Sequence, residues 1–186
     1  AHILRWQERA LQRGHNKPTL DFGSNDSTKW CECDNCRAID PPGEKSRGNF
    51  STRYWTFANA VFEEIRKTDP DFKFGGWTYA NYADVPEGVK PDAKIDKIMI
   101  SNHYRCWKHE LNDPDCVSNR RFFTYNSVWN ETGCPLFTYE ELISAGRLFL
   151  PTEKEWARSL KFYNQNLKNV VGMVTEVVCP DGELGG

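Results

Sequence analysis

No stretch of the chain approaches the roughly 18 consecutive apolar residues that a membrane-spanning helix needs, so no membrane span is expected. Nor does it open on a charged segment followed by an apolar core of the signal-peptide kind. It begins instead within a helix-like pattern, Ala1-His2-Ile3-Leu4-Arg5-Trp6. Charge of one sign is missing too. Lys and Arg number 24 against 26 Asp and Glu, a net −2, which leaves no electrostatic case for nucleic acid as a partner. Tandem repeats and low-complexity tracts are absent. What is plentiful is flat rings: seven Trp, seven Tyr and eleven Phe in a chain that is only 39% hydrophobic. Such rings suit a core, and equally the stacking platforms of a sugar site. The 186 residues fit one domain with a real core. A complete eight-unit β/α barrel typically takes about 250.

Periodicity orders the chain. Apolar positions 3, 6 and 10 predict a helix stopped at Gly14, and residues 18–23 read as a short strand followed by a polar, cysteine-bearing loop through Gly48. Tyr54, Phe57, Ala58, Val61, Phe62 and Ile65 follow helical spacing, so residues 51–67 are a predicted helix with Asp69-Pro70 as its stop. Phe72 to Tyr79 reads as a strand in which Gly75-Gly76 marks a bulge or a close backbone approach. Residues 85–94 hold two prolines and no apolar stripe, so the crossover to the next strand, 97–101, should lack a full helix. Phe122, Tyr125 and Trp129 mark another helix, and 136–139 a strand. Thr152-Glu153-Lys154-Glu155 is a capping box opening a helix with Trp156, Leu160 and Tyr163 inward, and Val170 to Thr175 is an apolar, buried strand. Strands alternating with helices argue for a parallel α/β sheet. The expectation is an incomplete (β/α)8 TIM-barrel-like fragment of about five parallel strands spanning 1–186, cut at both ends. Such a piece should express poorly by itself, because its strand edges would lie open.

In parallel α/β folds the loops after the strands converge on one face, where ligands bind. On that rule the strand ends present Asn25 and Asp26; Trp77, Tyr79, Asn81 and Tyr82; Asn102, His103, Tyr104 and Trp107; Tyr139, Glu140 and Glu141; and Glu176. Cleaving a glycosidic bond calls for two carboxylates, one as acid and one as nucleophile or base, and Asp26, Glu140, Glu141 and Glu176 are the candidates. Glu176 stands out because it ends an apolar strand. Trp77, Tyr79, Trp107 and Tyr139 are candidate sugar platforms or packing rings, and His103 is a candidate hydrogen-bond partner or acid/base.

The sharpest local motif is Cys31-Glu32-Cys33-Asp34-Asn35-Cys36, a C-x-C-x-x-C cluster. Three thiolates this close can fill three positions of a tetrahedral zinc, or form disulfides in an oxidising compartment. Cys106, His109 and Cys116 make a second cluster, which either completes a shared metal site or pairs Cys106 with Cys116. Seven cysteines leave at least one unpaired in any disulfide-only scheme, so a structural zinc or a mixed arrangement is preferred. The bond-breaking chemistry itself requires no cofactor.

Several of these stretches together resemble a mainly bacterial family of unknown function (domain of unknown function 4838). They are Ser24-Asn25-Asp26, the run from Trp30 through Cys31, Cys33 and Cys36 to Asp40, Phe57-Ala58-Asn59, and Asp69-Pro70-Asp71. The Cys106, His109, Cys116 cluster and Val171-Gly172-Met173 with Glu176 belong to the same pattern. That family is similar to α-glucuronidases and other glycoside hydrolases built on (β/α)8 barrels. The resemblance implies a barrel fold, an exported bacterial protein that is extracellular or periplasmic, and action on an oligosaccharide or polysaccharide, with Asn25, Asp26 and Glu176 at the site. The chain departs from the pattern at Tyr139-Glu140, where a Trp-Asp pair is expected. A non-catalytic carbohydrate-binding barrel with a zinc or disulfide cluster is the alternative.

Overall fold

The computed structural model describes residues 2–14, 19–25, 27–143 and 153–177. Its elements are α1 (His2–Gln12), β1 (Leu20–Phe22), α2 (Asp34–Arg37), α3 (Pro42–Arg47), α4 (Ser51–Arg66), β2 (Phe74–Thr78), a single 3-10 turn (Ala80–Tyr82), β3 (Lys97–Ser101), α5 (Val117–Glu131), β4 (Leu136–Ile143), α6 (Glu153–Asn166) and β5 (Val170–Val177). Five parallel strands form one sheet in the order β1-β2-β3-β4-β5. Sequence order and spatial order therefore coincide, as in a β/α repeat that advances one strand at a time. The α/β class matches the expectation, and between β2 and β3 the chain forms only the 3-10 turn, in keeping with the expected lack of a full helix. Among the described residues, no helix is long and apolar enough to cross a membrane.

The chain divides into two compact units, Ala1–Ile98 and Met99–Gly186. In the first, β1 and β2 pair in parallel with Leu20 opposite Phe74 and Phe22 opposite Gly76. The inner face of α4 buries Tyr54, Trp55, Ala58 and Phe62, and the Phe62 ring stacks on Phe74 at 4.2 Å. The close approach expected at Gly76 is real. A Cβ there would lie 2.3 Å from the ring of Trp55, so glycine makes room for the largest fully buried side chain of this unit. Phe57, expected inward, is 62% exposed. It lies about 100° around the helix from Ala58, at the edge of a stripe narrower than its periodicity implied.

Two short helices occupy what reads in sequence as loop. Pro42 starts α3 at a position that needs no amide hydrogen, and Gly48, with a left-handed φ of 63°, ends it. The purpose of α3 lies in Glu44, which is fully buried. Phe50, at the N-cap of α4, offers no side-chain acceptor. Glu44 takes that role from outside the helix, accepting the Thr52 amide at 2.8 Å, the Thr52 hydroxyl at 2.6 Å and the Glu87 amide at 2.8 Å. A carboxylate at this place also suits the positive end of the helix dipole.

In the second unit, α5 and α6 enclose a core of Leu111, Phe122, Phe162, Tyr163 and Leu167, against which Val170 and Met173 of β5 pack. Leu160, expected inward, is 47% exposed, and Ser159, Phe162 and Tyr163 hold the inner positions. The expected buried character of β5 also needs correction: Val171 is 62% and Val174 37% exposed. β5 stands at one end of the strand order, so only part of its surface has cover. The expected capping residue Thr152 lies outside the described residues.

Candidate functional site

Strand alternation decides what the acids of β4 can do. Leu136, Thr138 and Glu140 are all fully buried, whereas Phe137 and Tyr139 between them are partly open. Glu140, expected as a catalytic acid, therefore shares the covered face. Both of its oxygens are engaged. Oε1 accepts the Asn102 side-chain amide at 2.8 Å and the Tyr163 hydroxyl, and Oε2 accepts Arg105 Nε at 2.8 Å. Arg105 is buried as well. It donates to Ser159 Oγ at 2.6 Å and lies 3.5 Å over the Trp107 ring. Asn102 Oδ1 in turn accepts the Asn126 amide at 2.7 Å. Burial, and then the charge of Glu140, push the Tyr163 hydroxyl well above the usual tyrosine range, so it stays a donor to that carboxylate. The result is a charge-balanced network holding the end of β3 to β4, α5 and α6. Sequence reasoning did not find it. Its only trace is polar side chains on inward helix positions, Ser159 and Tyr163 four residues apart and Asn126 four after Phe122.

The next position has a different setting. In the β4–β5 ladder Tyr139 stands opposite Val174, Glu140 opposite Thr175, and Glu141 opposite Glu176. Two glutamates thus occupy one register position at the C-terminal ends of neighbouring strands. The register shifts immediately afterwards, between Glu141 and Ile143. Irregularities of this kind favour the neighbourhood of active sites. Asp26, the other expected carboxylate, lies outside the described residues.

Rings gather at the end of β3. His103 meets Tyr104 edge-on with centroids 3.8 Å apart, and Tyr104 is 66% exposed in the left-handed region at φ 65°. A non-glycine residue there carries a backbone cost of about 1–3 kcal/mol, and such costs concentrate at binding loops. Trp107 is half-buried, with Arg105 over its ring. Tyr139 is half-buried, and its carbonyl accepts the Asn102 amide at 2.9 Å.

In the first unit, Asn25 is exposed beyond β1. It lines an apolar cavity of about 580 Å³ with Phe22, Trp30, Ile39, Tyr54 and Phe57. Trp77 lies over Gly23, whose Cβ, if present, would be 3.4 Å from the indole. Tyr79 is half-buried and meets Tyr82 edge-on at 6.4 Å. These rings pack as well as present. The Tyr54 hydroxyl joins the two strand ends, donating to the Phe22 carbonyl and accepting the Trp77 amide at 3.0 Å, and burial raises its pKa.

The two cysteine clusters prove to be compact in space. The ligand atoms of Cys31, Cys33 and Cys36 lie within 4.8 Å of one another, and so do those of Cys106, His109 and Cys116. All six described cysteines are free thiols. The first cluster is tied to α4 by Arg53, which donates to both oxygens of the buried Asp40 and to the Cys31 carbonyl at 2.5 Å. The Trp30 indole stacks on Phe50 at 5.1 Å and donates to Asn81 at 3.1 Å. Within the cluster, the backbone amide of Cys36, then the thiols of Cys31 and Cys36, lower the Cys33 pKa to about 7. Cys31 and Cys33 raise Cys36 to about 11. In reduced, metal-stripped protein, Cys33 is therefore expected to be alkylated ahead of Cys36, its rate rising with pH through about 7 as the thiolate forms. Peptide mapping after brief iodoacetamide treatment reads this order. Equal labelling of the two at neutral pH would contradict it.

Taken together, these features define a parallel α/β domain that carries acids and rings at its strand ends and two thiol-rich clusters in the loops that follow them. The chain belongs to the family described as Domain of unknown function (DUF4838), whose pattern matches residues 2–181. No curated protein and no solved structure matches it.

Proposed function

We propose that the domain is carbohydrate-active and hydrolyses glycosidic bonds in complex polysaccharide. The observation that carries this reading is the shared register of Glu141 and Glu176 at the C-terminal ends of β4 and β5. Positions on adjacent strands are about 4.8 Å apart. Side chains at paired positions of neighbouring strands can reach one ligand, and two carboxylates flanking one bond are what glycoside cleavage calls for. One glutamate would protonate the leaving oxygen and the other act as nucleophile or base. His103, Tyr104 and Tyr139 supply rings of the kind that orient a sugar, and Trp77 and Tyr79 do so in the first unit. Glu140 takes no part in the chemistry and keeps the β3 end in place.

Purified protein incubated with a panel of neutral and uronic-acid polysaccharides is expected to release soluble oligosaccharides, detectable by chromatography, and proton NMR of the first products reads whether configuration is retained or inverted. Saturable binding in calorimetry with no product after prolonged incubation would replace the enzyme with a non-catalytic carbohydrate-binding domain.

A further inference from the structure

The loop between β3 and α5 carries three metal-ligating side chains in a pre-formed arrangement. Cys106 Sγ and His109 Nδ1 are 3.4 Å apart, and Cys116 Sγ is within 4.8 Å of both. Zinc bonds of about 2.3 Å to sulfur and about 2.0–2.1 Å to nitrogen, at tetrahedral angles, require an S···N edge of about 3.6 Å. The thiol and imidazole therefore already stand close to the separation that one ion would impose.

A second observation concerns what holds the loop. Asn119, on the first turn of α5, is fully buried and devotes its whole side chain to this backbone. Its Oδ1 accepts the Cys106 amide at 2.8 Å. Its Nδ2 is shared among the carbonyls of Cys106 at 3.0 Å, His109 at 3.1 Å and Glu110 at 3.0 Å. A buried amide that fixes the main chain of two candidate ligands is the outer support that metal sites need if their ligands are to keep aim. Cys116 is the N-cap of α5 and is buried, so the third ligand starts from a regular element.

We propose that Cys106, His109 and Cys116 bind one zinc ion, or a divalent ion of similar softness, through two thiolates and one imidazole, with water in the fourth position. Cysteine and histidine select zinc over the oxygen-loving magnesium and calcium. The ion staples the loop that presents His103, Tyr104 and Trp107 to the start of α5, and binding releases the thiol protons to solvent. This site stands independently of the carbohydrate reading.

The test uses protein in which the other thiol cluster is removed, Cys31→Ser with Cys33→Ser and Cys36→Ser. Arg53 reaches Cys31 only through its carbonyl, so these changes leave that anchor intact. After zinc loading and exhaustive dialysis, this protein is expected to retain one zinc per chain. Its X-ray absorption should show two sulfur neighbours at about 2.3 Å and two nitrogen or oxygen neighbours at about 2.0–2.1 Å. Adding His109→Ala, an exposed position, should abolish retention while the circular dichroism stays unchanged. Three results would overturn the proposal: no retained zinc, zinc whose shell is unaffected by His109→Ala, or a Cys106–Cys116 disulfide in the unreduced protein's peptide map.

Discussion

Replacing Arg105 by Leu is expected to destabilise the protein by about 3–5 kcal/mol, the penalty for leaving a buried carboxylate without its counter-charge. Glu140 has no route to water, since the side chains of the pair are 1% and 0% exposed. Its remaining partners, the Asn102 amide and the Tyr163 hydroxyl, are neutral and cannot replace a cation. The same change also strips the Trp107 ring of its guanidinium and Ser159 of its donor. Glu140→Leu should cost a similar amount by stranding the arginine. The double variant should be more stable than either single one, because exchanging a whole buried pair for apolar side chains is often near neutral. Asn102 and Tyr163 retain their mutual hydrogen bond of 2.9 Å in that case. Urea unfolding of the four proteins gives the coupling directly. Single variants within about 0.5 kcal/mol of wild type, the level of an ordinary surface change, would show that the network does not hold the β3 end.

How far such features could be read in advance depended on whether their cause is local. α4 was legible because its stripe and its stop lie within one run of sequence, and β1 to β5 because apolar segments are bounded by turn residues. The first cysteine cluster was legible from spacing alone. The phase of β4 was not. Leu136-Phe137-Thr138-Tyr139-Glu140-Glu141 mixes apolar and polar side chains on both faces, so a period of two could not say which glutamate faces the helices. That choice was made by Asn102, Arg105 and Tyr163, which reach Glu140 from elsewhere in the chain, with Asn126 bonded to Asn102 and Ser159 to Arg105 behind them. The same holds for Glu44, whose partner at Glu87 lies 43 residues along the sequence, and for Asn119, whose support of the second cluster is a backbone matter. α3 did leave a local signal, Pro42 at its start and Gly48 at its end, but proline and glycine in a polar stretch read more readily as loop. Phe57 and Leu160 were misplaced because helical spacing gives the centre of a stripe better than its width.

The adjacent residues Glu140 and Glu141 offer the most direct test, since they are expected to fail in opposite ways. Glu140→Gln leaves Arg105 without a carboxylate and should lower stability by several kcal/mol while the folded fraction keeps its turnover. Glu141→Gln removes one member of the pair in register with Glu176, and should leave the unfolding midpoint close to wild type while polysaccharide hydrolysis falls by about 10²–10⁴-fold, the usual worth of a positioned acid or base. Oligosaccharide release per folded molecule, measured for wild type and both variants on the same polysaccharide, separates the two roles. Loss of activity in Glu141→Gln with its retention in Glu140→Gln is the expected result. Full activity in Glu141→Gln, or activity lost only in Glu140→Gln, would contradict the placement of the reaction at the end of β4 and β5.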